Sequence, residues 1–145
     1  MKRTMTSPSA WIAAAALCLA ANLAVAHDHD HDHGHADAPA ALALDDGKKW
    51  PTDAALRQGM EHIRAAVAQG LAPAPLAERV ESEIATLVSN CKLAPETDAM
   101  FHLVLADLLA GTELLRAQAA EQEKGLAKLS KALRDYPAYF DHPGW

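Results

Sequence analysis

Four successive stretches carry apolar residues at helical spacing, and this pattern leaves the chain little choice of architecture. Leu56, Met60, Ile63 and Val67 fall at i, i+4, i+7 and i+11, one face of an α-helix. Leu76, Val80, Ile84 and Leu87 repeat the pattern and run on to Cys91. Phe101, Val104, Leu105, Leu108, Leu109 and Leu115 form a third stripe, and Leu126, Leu129, Leu133 and Tyr136 a fourth. No strand alternation and no internal repeat interrupts them. Alanine and leucine dominate the 50% of residues that are apolar, which favours helix over sheet. Short connections between four amphipathic helices predict an all-α, up-down-up-down four-helix bundle.

The punctuation sets the boundaries. Thr52 or Asp53 caps a first helix expected over 53–69, which Gly70, Pro73 and Pro75 end. The second is expected over 75–90, with Pro75 in the first turn and Asn90 as a left-handed terminator. Pro95 opens the third, and Glu96 and Asp98 lie in its first turn, where the helix dipole favours acids. Heptad-like spacing through Thr112, Ala119, Gln122 and Leu126 leaves one continuous helix as an alternative, but the polar run from Ala119 to Gly125 favours a break there. Pro137 is expected to stop the fourth helix. The aromatic tail after it, Tyr139-Phe140-Asp141-His142-Pro143-Gly144-Trp145, is expected to dock on the bundle.

Ahead of the helices the sequence changes character twice. Lys2 and Arg3 precede an almost uncharged apolar run, Trp11 to Val25, and Ala24-Val25-Ala26 is an A-x-A site. This is the form of a secretory signal peptide over 1–26, so export to the periplasm is expected, with no membrane anchor after cleavage. Leu17 stands where a lipobox before Cys18 would need a small residue. Cleavage after Ala26 takes the chain from 145 residues to 119, moves the net charge from −6 to −8 and leaves Cys91 as the single cysteine. No internal disulfide is then possible in an oxidising compartment. Residues 27–47 are expected to be a disordered His/Asp-rich linker, and residues 48–145 the bundle with its docked tail. With an acidic balance and no basic stripe, nucleic acid is excluded as a partner.

Asn90-Cys91-Lys92-Leu93-Ala94-Pro95-Glu96-Thr97-Asp98, followed by Phe101-His102-Leu103, resembles a run found in the DnrO-like family of small exported His-rich bacterial proteins of unassigned activity. The segments Lys48-Lys49-Trp50-Pro51-Thr52-Asp53-Ala54-Ala55-Leu56-Arg57-Gln58-Gly59-Met60 and Tyr139-Phe140-Asp141-His142-Pro143-Gly144-Trp145 are similar to that family's lead-in and C-terminus. The resemblance covers nearly the whole mature chain. It implies a periplasmic, His-rich helical protein and supplies no activity.

The chemistry is concentrated in His27-Asp28-His29-Asp30-His31-Asp32-His33-Gly34-His35. Imidazole and carboxylate are ligands for Cu²⁺, Zn²⁺ and Ni²⁺, and a His-rich tract is a compositional metal signal. The five histidines His27, His29, His31, His33 and His35 are therefore candidate ligands, with copper favoured and zinc or nickel next. Within the bundle, Met60, Cys91, His102 and His142 are further candidates. Antiparallel pairing puts Met60, Ile84 and His102 at one depth, with Cys91 and the tail towards one end. Thiolate, imidazole and thioether are copper-site ligand types, so Cys91 with His102, completed by His142 or Met60, is the expected site. The bland alternatives are a core Met60, a buried Cys91 and a His102 that bonds Asp98 one turn earlier. A haem held by Met60 and His102 is a further alternative. No Gly-rich phosphate loop, nucleophile elbow, HExxH or CxxC is present, so no enzyme is expected. The reading is a metal buffer or carrier whose partners are metal ions, with a periplasmic protein as a further candidate partner. The rival is a helical protein-interaction module with a passive His tract.

Overall fold

Four helices account for most of the chain over residues 41–145, the part that the structure, a computed structural model, describes. They are α1 (Ala54–Ala68), α2 (Pro73–Asn90), α3 (Pro95–Arg116) and α4 (Ala119–Tyr139). Each packs on the next in sequence, as short connections require, so the expected all-α four-helix arrangement is what forms. Isolated bridges are the only β-type pairings among the described residues. The predicted signal peptide and histidine tract lie outside the described residues.

Local chemistry explains the helix ends. Asp53 caps α1: its Oδ1 accepts from the Leu56 amide at 2.7 Å, and its Oδ2 accepts from the Lys92 amide at 2.5 Å. One carboxylate thus fixes the start of α1 and the α2–α3 connection together. α2 starts at Pro73, two residues before the expected Pro75. Both prolines fit because first-turn amides have no partner inside the helix. Asn90 stays helical and its Nδ2 donates to the Thr86 carbonyl at 2.7 Å, so α2 ends by turning extended at Cys91 and not through a left-handed Asn90.

Two expectations at α4 are corrected. The break between α3 and α4 falls at Ala117–Gln118, and Gly125 lies inside α4. A Cβ on Gly125 would stand 2.8 Å from the Gly111 carbonyl oxygen and 3.0 Å from the Leu115 amide nitrogen. That glycine is there for close helix approach and ends nothing. It also sets which face turns inward. Leu129, Ala132 and Tyr136 are buried and Leu133 is half-buried, whereas Leu126 is 41% exposed. Pro137 does not stop α4 either; the helix continues to Tyr139, and the Phe140 amide closes its last turn on the Tyr136 carbonyl at 2.9 Å. Removing one amide donor costs a single ladder bond, and the tail holds the turn from the other side.

The core joins Leu56, Met60 and Ile63 of α1 to Leu76, Val80, Ile84 and Leu87 of α2. It continues through Phe101, Val104, Leu108 and Leu115 of α3 to Leu129, Ala132, Tyr136 and Phe140. Order reaches further back than the predicted linker boundary at residue 47. Leu42 packs against the core, and the Trp50 indole Nε1 donates to the Ala43 carbonyl at 2.7 Å. Between them Asp45 and Lys48 exchange two backbone hydrogen bonds around a tight turn, with Asp46 at φ 46° and Gly47 at φ 82°. Two successive left-handed residues are the requirement of a type I′ turn, which Asp-Gly meets.

Candidate functional site

The fold does not gather the candidate ligands of the bundle. Met60 is completely buried among α1–α4 core residues. His102 points to solvent, and its Nδ1 lies 2.8 Å from the Asp98 carbonyl oxygen and 3.4 Å from Asp98 Oδ2. This is the one-turn pairing named above as the bland alternative. Met60 and His102 therefore do not face each other across the core, and the haem alternative loses its ligand pair. Cys91 is half-buried beside the core at the end of α2. Burial pushes its thiol pKa up, and the carboxylates of Asp53 and Asp98 push it the same way, so the environment favours the thiol over the metal-binding thiolate. Among the described residues no group of three or more His, Cys, Asp and Glu side chains is placed to hold a metal ion. The five tract histidines lie outside those residues.

His142 has a different environment from the one expected. It is 8% exposed, with both ring nitrogens engaged: Nδ1 is 3.1 Å from the Tyr136 hydroxyl and Nε2 is 3.1 Å from Glu61 Oε1. A carboxylate oxygen only accepts, so Nε2 carries the hydrogen, and in the neutral ring Nδ1 then accepts from the tyrosine O–H. The Tyr136 ring is completely buried. It stacks on Phe140 with centroids 5.4 Å apart and meets Trp145 edge-on at 4.9 Å. Burial drives the Tyr136 phenol pKa well above its ordinary range; Arg57 opposes this, and Asp53 and Glu61 add to it. Trp145 also contacts the His142 ring, with centroids 5.1 Å apart, and the Arg64 guanidinium lies over the indole at 4.4 Å.

The predicted docking of the tail is thus present, with its partners now visible. Trp50 pairs with Phe140: the Trp50 amide donates to the Tyr139 carbonyl at 2.7 Å and the Asp141 amide to the Trp50 carbonyl at 2.8 Å. Sequence reasoning named His142 and the aromatic tail but missed Glu61, Arg64 and the hydroxyl of Tyr136. Only the helical stripe could have pointed to Tyr136, and nothing local marks an exposed Glu61 on α1 as the partner of a residue 81 positions away.

Two surface hollows carry charged side chains in their lining. One, of about 430 Å³, is lined by Leu42, Leu103 and Tyr139 with Asp107, Lys131 and Asp135 at its rim. The other, of about 220 Å³, lies between α1 and α2, where His62 Nδ1 is 2.9 Å from Glu83 Oε2 and Glu83 also pairs with Arg79. In both, the charged groups already satisfy one another. Comparison with family models, with curated proteins and with solved structures finds no match for this chain.

Proposed function

We propose that the protein is an exported metal-binding protein that buffers or hands over a metal ion, copper ahead of zinc or nickel, and catalyses no reaction. The observation that carries this reading is the alternation of five histidines with acidic or small residues from His27 to His35. The bundle histidines add little to it, since His142 spends both nitrogens inside the fold and His102 bonds Asp98. The bundle then serves as the carrier of the tract.

Copper is put first because of what cleavage after Ala26 would create. The free amine of His27, the two following backbone amides and the His29 imidazole can give one ion four nitrogens in a plane. Cu²⁺ and Ni²⁺ favour that geometry, whereas Zn²⁺ does not drive amide deprotonation well. The mature chain is expected to show the visible d–d band and EPR spectrum of a planar nitrogen site, and His29→Ala to change both. An unchanged spectrum removes this geometry. Metal titration with and without residues 27–35 locates the binding: loss on deletion supports the tract, and tight binding that survives it transfers the function to the bundle.

A further inference from the structure

The chain of contacts from Glu61 through His142 to Tyr136 is not used by metal binding, yet it is assembled with care. The Tyr136 hydroxyl is shut off from solvent, and its one hydrogen-bond partner is His142 Nδ1 at 3.1 Å. On the far side of the imidazole, Glu61 is within 3.1 Å of Nε2 and is itself half exposed. Trp145 makes edge contact with Tyr136 at 4.9 Å between centroids and is only partly buried, so it connects the buried phenol to the surface.

We propose that Tyr136 is a redox-active tyrosine: an outer-sphere one-electron oxidant that reaches Trp145 draws one electron from Tyr136, and the phenol proton passes to Nδ1 of His142. The step balances within the side chains. The Tyr136 O–H bond breaks and a His142 N–H bond forms. Tyr136 loses one electron and becomes a neutral phenoxyl radical, and the oxidant is reduced by one. The imidazolium so formed already donates through Nε2 to the Glu61 carboxylate, which stabilises its charge. Burial requires this coupling, because a phenol radical cation with no base beside it would place an uncompensated charge in an apolar site. Arg64 fixes the direction of travel. Its guanidinium over the Trp145 ring disfavours a positive hole on the indole, so the hole passes inward and comes to rest on Tyr136. Phe140, stacked on the Tyr136 ring, then shields the radical from solution. The inference stands apart from metal binding and needs no bound ion.

The test uses the full chain freed of metal by chelator, with photo-oxidation by ruthenium tris(bipyridine) and persulfate. The chain has two tyrosines, Tyr136 and Tyr139, so the radical can be assigned by subtraction. A phenoxyl EPR signal is expected in the parent and in Tyr139→Phe, and is expected to be lost in Tyr136→Phe, whose ring keeps the packing. Its formation should slow in D₂O. Glu61→Gln, at a half-exposed position, should lower the yield without unfolding the bundle by circular dichroism. A phenoxyl signal that persists in Tyr136→Phe, one that vanishes in Tyr139→Phe, formation insensitive to D₂O, or an unchanged yield in Glu61→Gln overturns the proposal.

Discussion

The fourth helix meets its two spatial neighbours by opposite means. Against α3 it closes to backbone contact, with Gly125 and Gly111 facing each other. Against α1 it makes only brief direct contact, and the tail bridges the gap instead. There Phe140 pairs with Trp50, Thr52 Oγ1 donates to the Asp141 carbonyl, His142 reaches Glu61, and Arg64 covers Trp145. Two helices that approach closely need small residues and no cement. Two that diverge need large side chains brought in from elsewhere, and this chain uses six residues beyond the last helix to supply them.

The comparison breaks first, and hardest, on the aromatic side. Phe140 is fully buried, stacks on Tyr136 and meets Phe101 edge-on at 5.9 Å. Phe140→Ala should cost about 3–5 kcal/mol, the range for a buried aromatic replaced by alanine. Urea unfolding with an unchanged m-value checks it. A loss below about 1 kcal/mol would mean that the tail decorates the bundle and does not close it.

The glycine side should respond less, and asymmetrically. In Gly125→Ala the new methyl would meet backbone, the Gly111 oxygen at 2.8 Å and the Leu115 nitrogen at 3.0 Å. Backbone cannot swing aside, so the helices must part, at about 1–3 kcal/mol. In Gly111→Ala the nearest atom is Leu129 Cδ2 at 2.8 Å, the far end of a flexible side chain, and the backbone contact, to the Gly125 oxygen, is longer at 3.1 Å. That variant should lose less than Gly125→Ala in the same denaturation experiment. Equal losses would show that α3 and α4 are held apart by something other than those backbones.

This asymmetry also shows what could be read from sequence. The fold class and four helices follow from period 3.6 alone, and the stripes of α1 and α2 face the core much as the spacing predicts, with Val67 only half-buried. Gly125 was misplaced because a glycine that ends a helix and one that lets a neighbour approach look identical in one dimension. Pro137 was misplaced because the helix turn it weakens is propped by Trp50, 87 positions earlier in the numbering. The candidate ligands failed to converge for a related reason. Pairing helices end to end gives depth, but it says nothing about rotation, and His102 faces outward where Met60 is buried in the core. The Glu61–His142–Tyr136 chain needs both depth and rotation, from three separate elements.

The smallest expected effect lies on the outer edge of the α3–α4 contact and concerns charge. Asp107 of α3 accepts from Lys128 at 3.1 Å and from Lys131 at 2.9 Å, both on α4, and Lys131 also meets Asp135 at 2.6 Å. Partial burial alone would raise the Asp107 pKa, but the hydrogen bonds from Lys131 and Lys128 and their charges outweigh it and leave the carboxyl below its ordinary value. The folded chain therefore keeps Asp107 ionised where the unfolded chain has begun to take up a proton. The stabilisation is complete above the ordinary aspartate range and is lost as pH falls through the lowered value. Both lysines are largely solvated, at 43% and 53% side-chain exposure, so screening holds the whole contribution to about 1 kcal/mol or less. Asp107→Asn should lower the thermal midpoint slightly at neutral pH. The gap to the parent should narrow as pH falls below the ordinary aspartate range, and narrow in 1 M salt. A gap that stays constant across both changes would mean that Asp107 holds α4 by shape and not by charge, which would make the α3–α4 seam a matter of packing throughout.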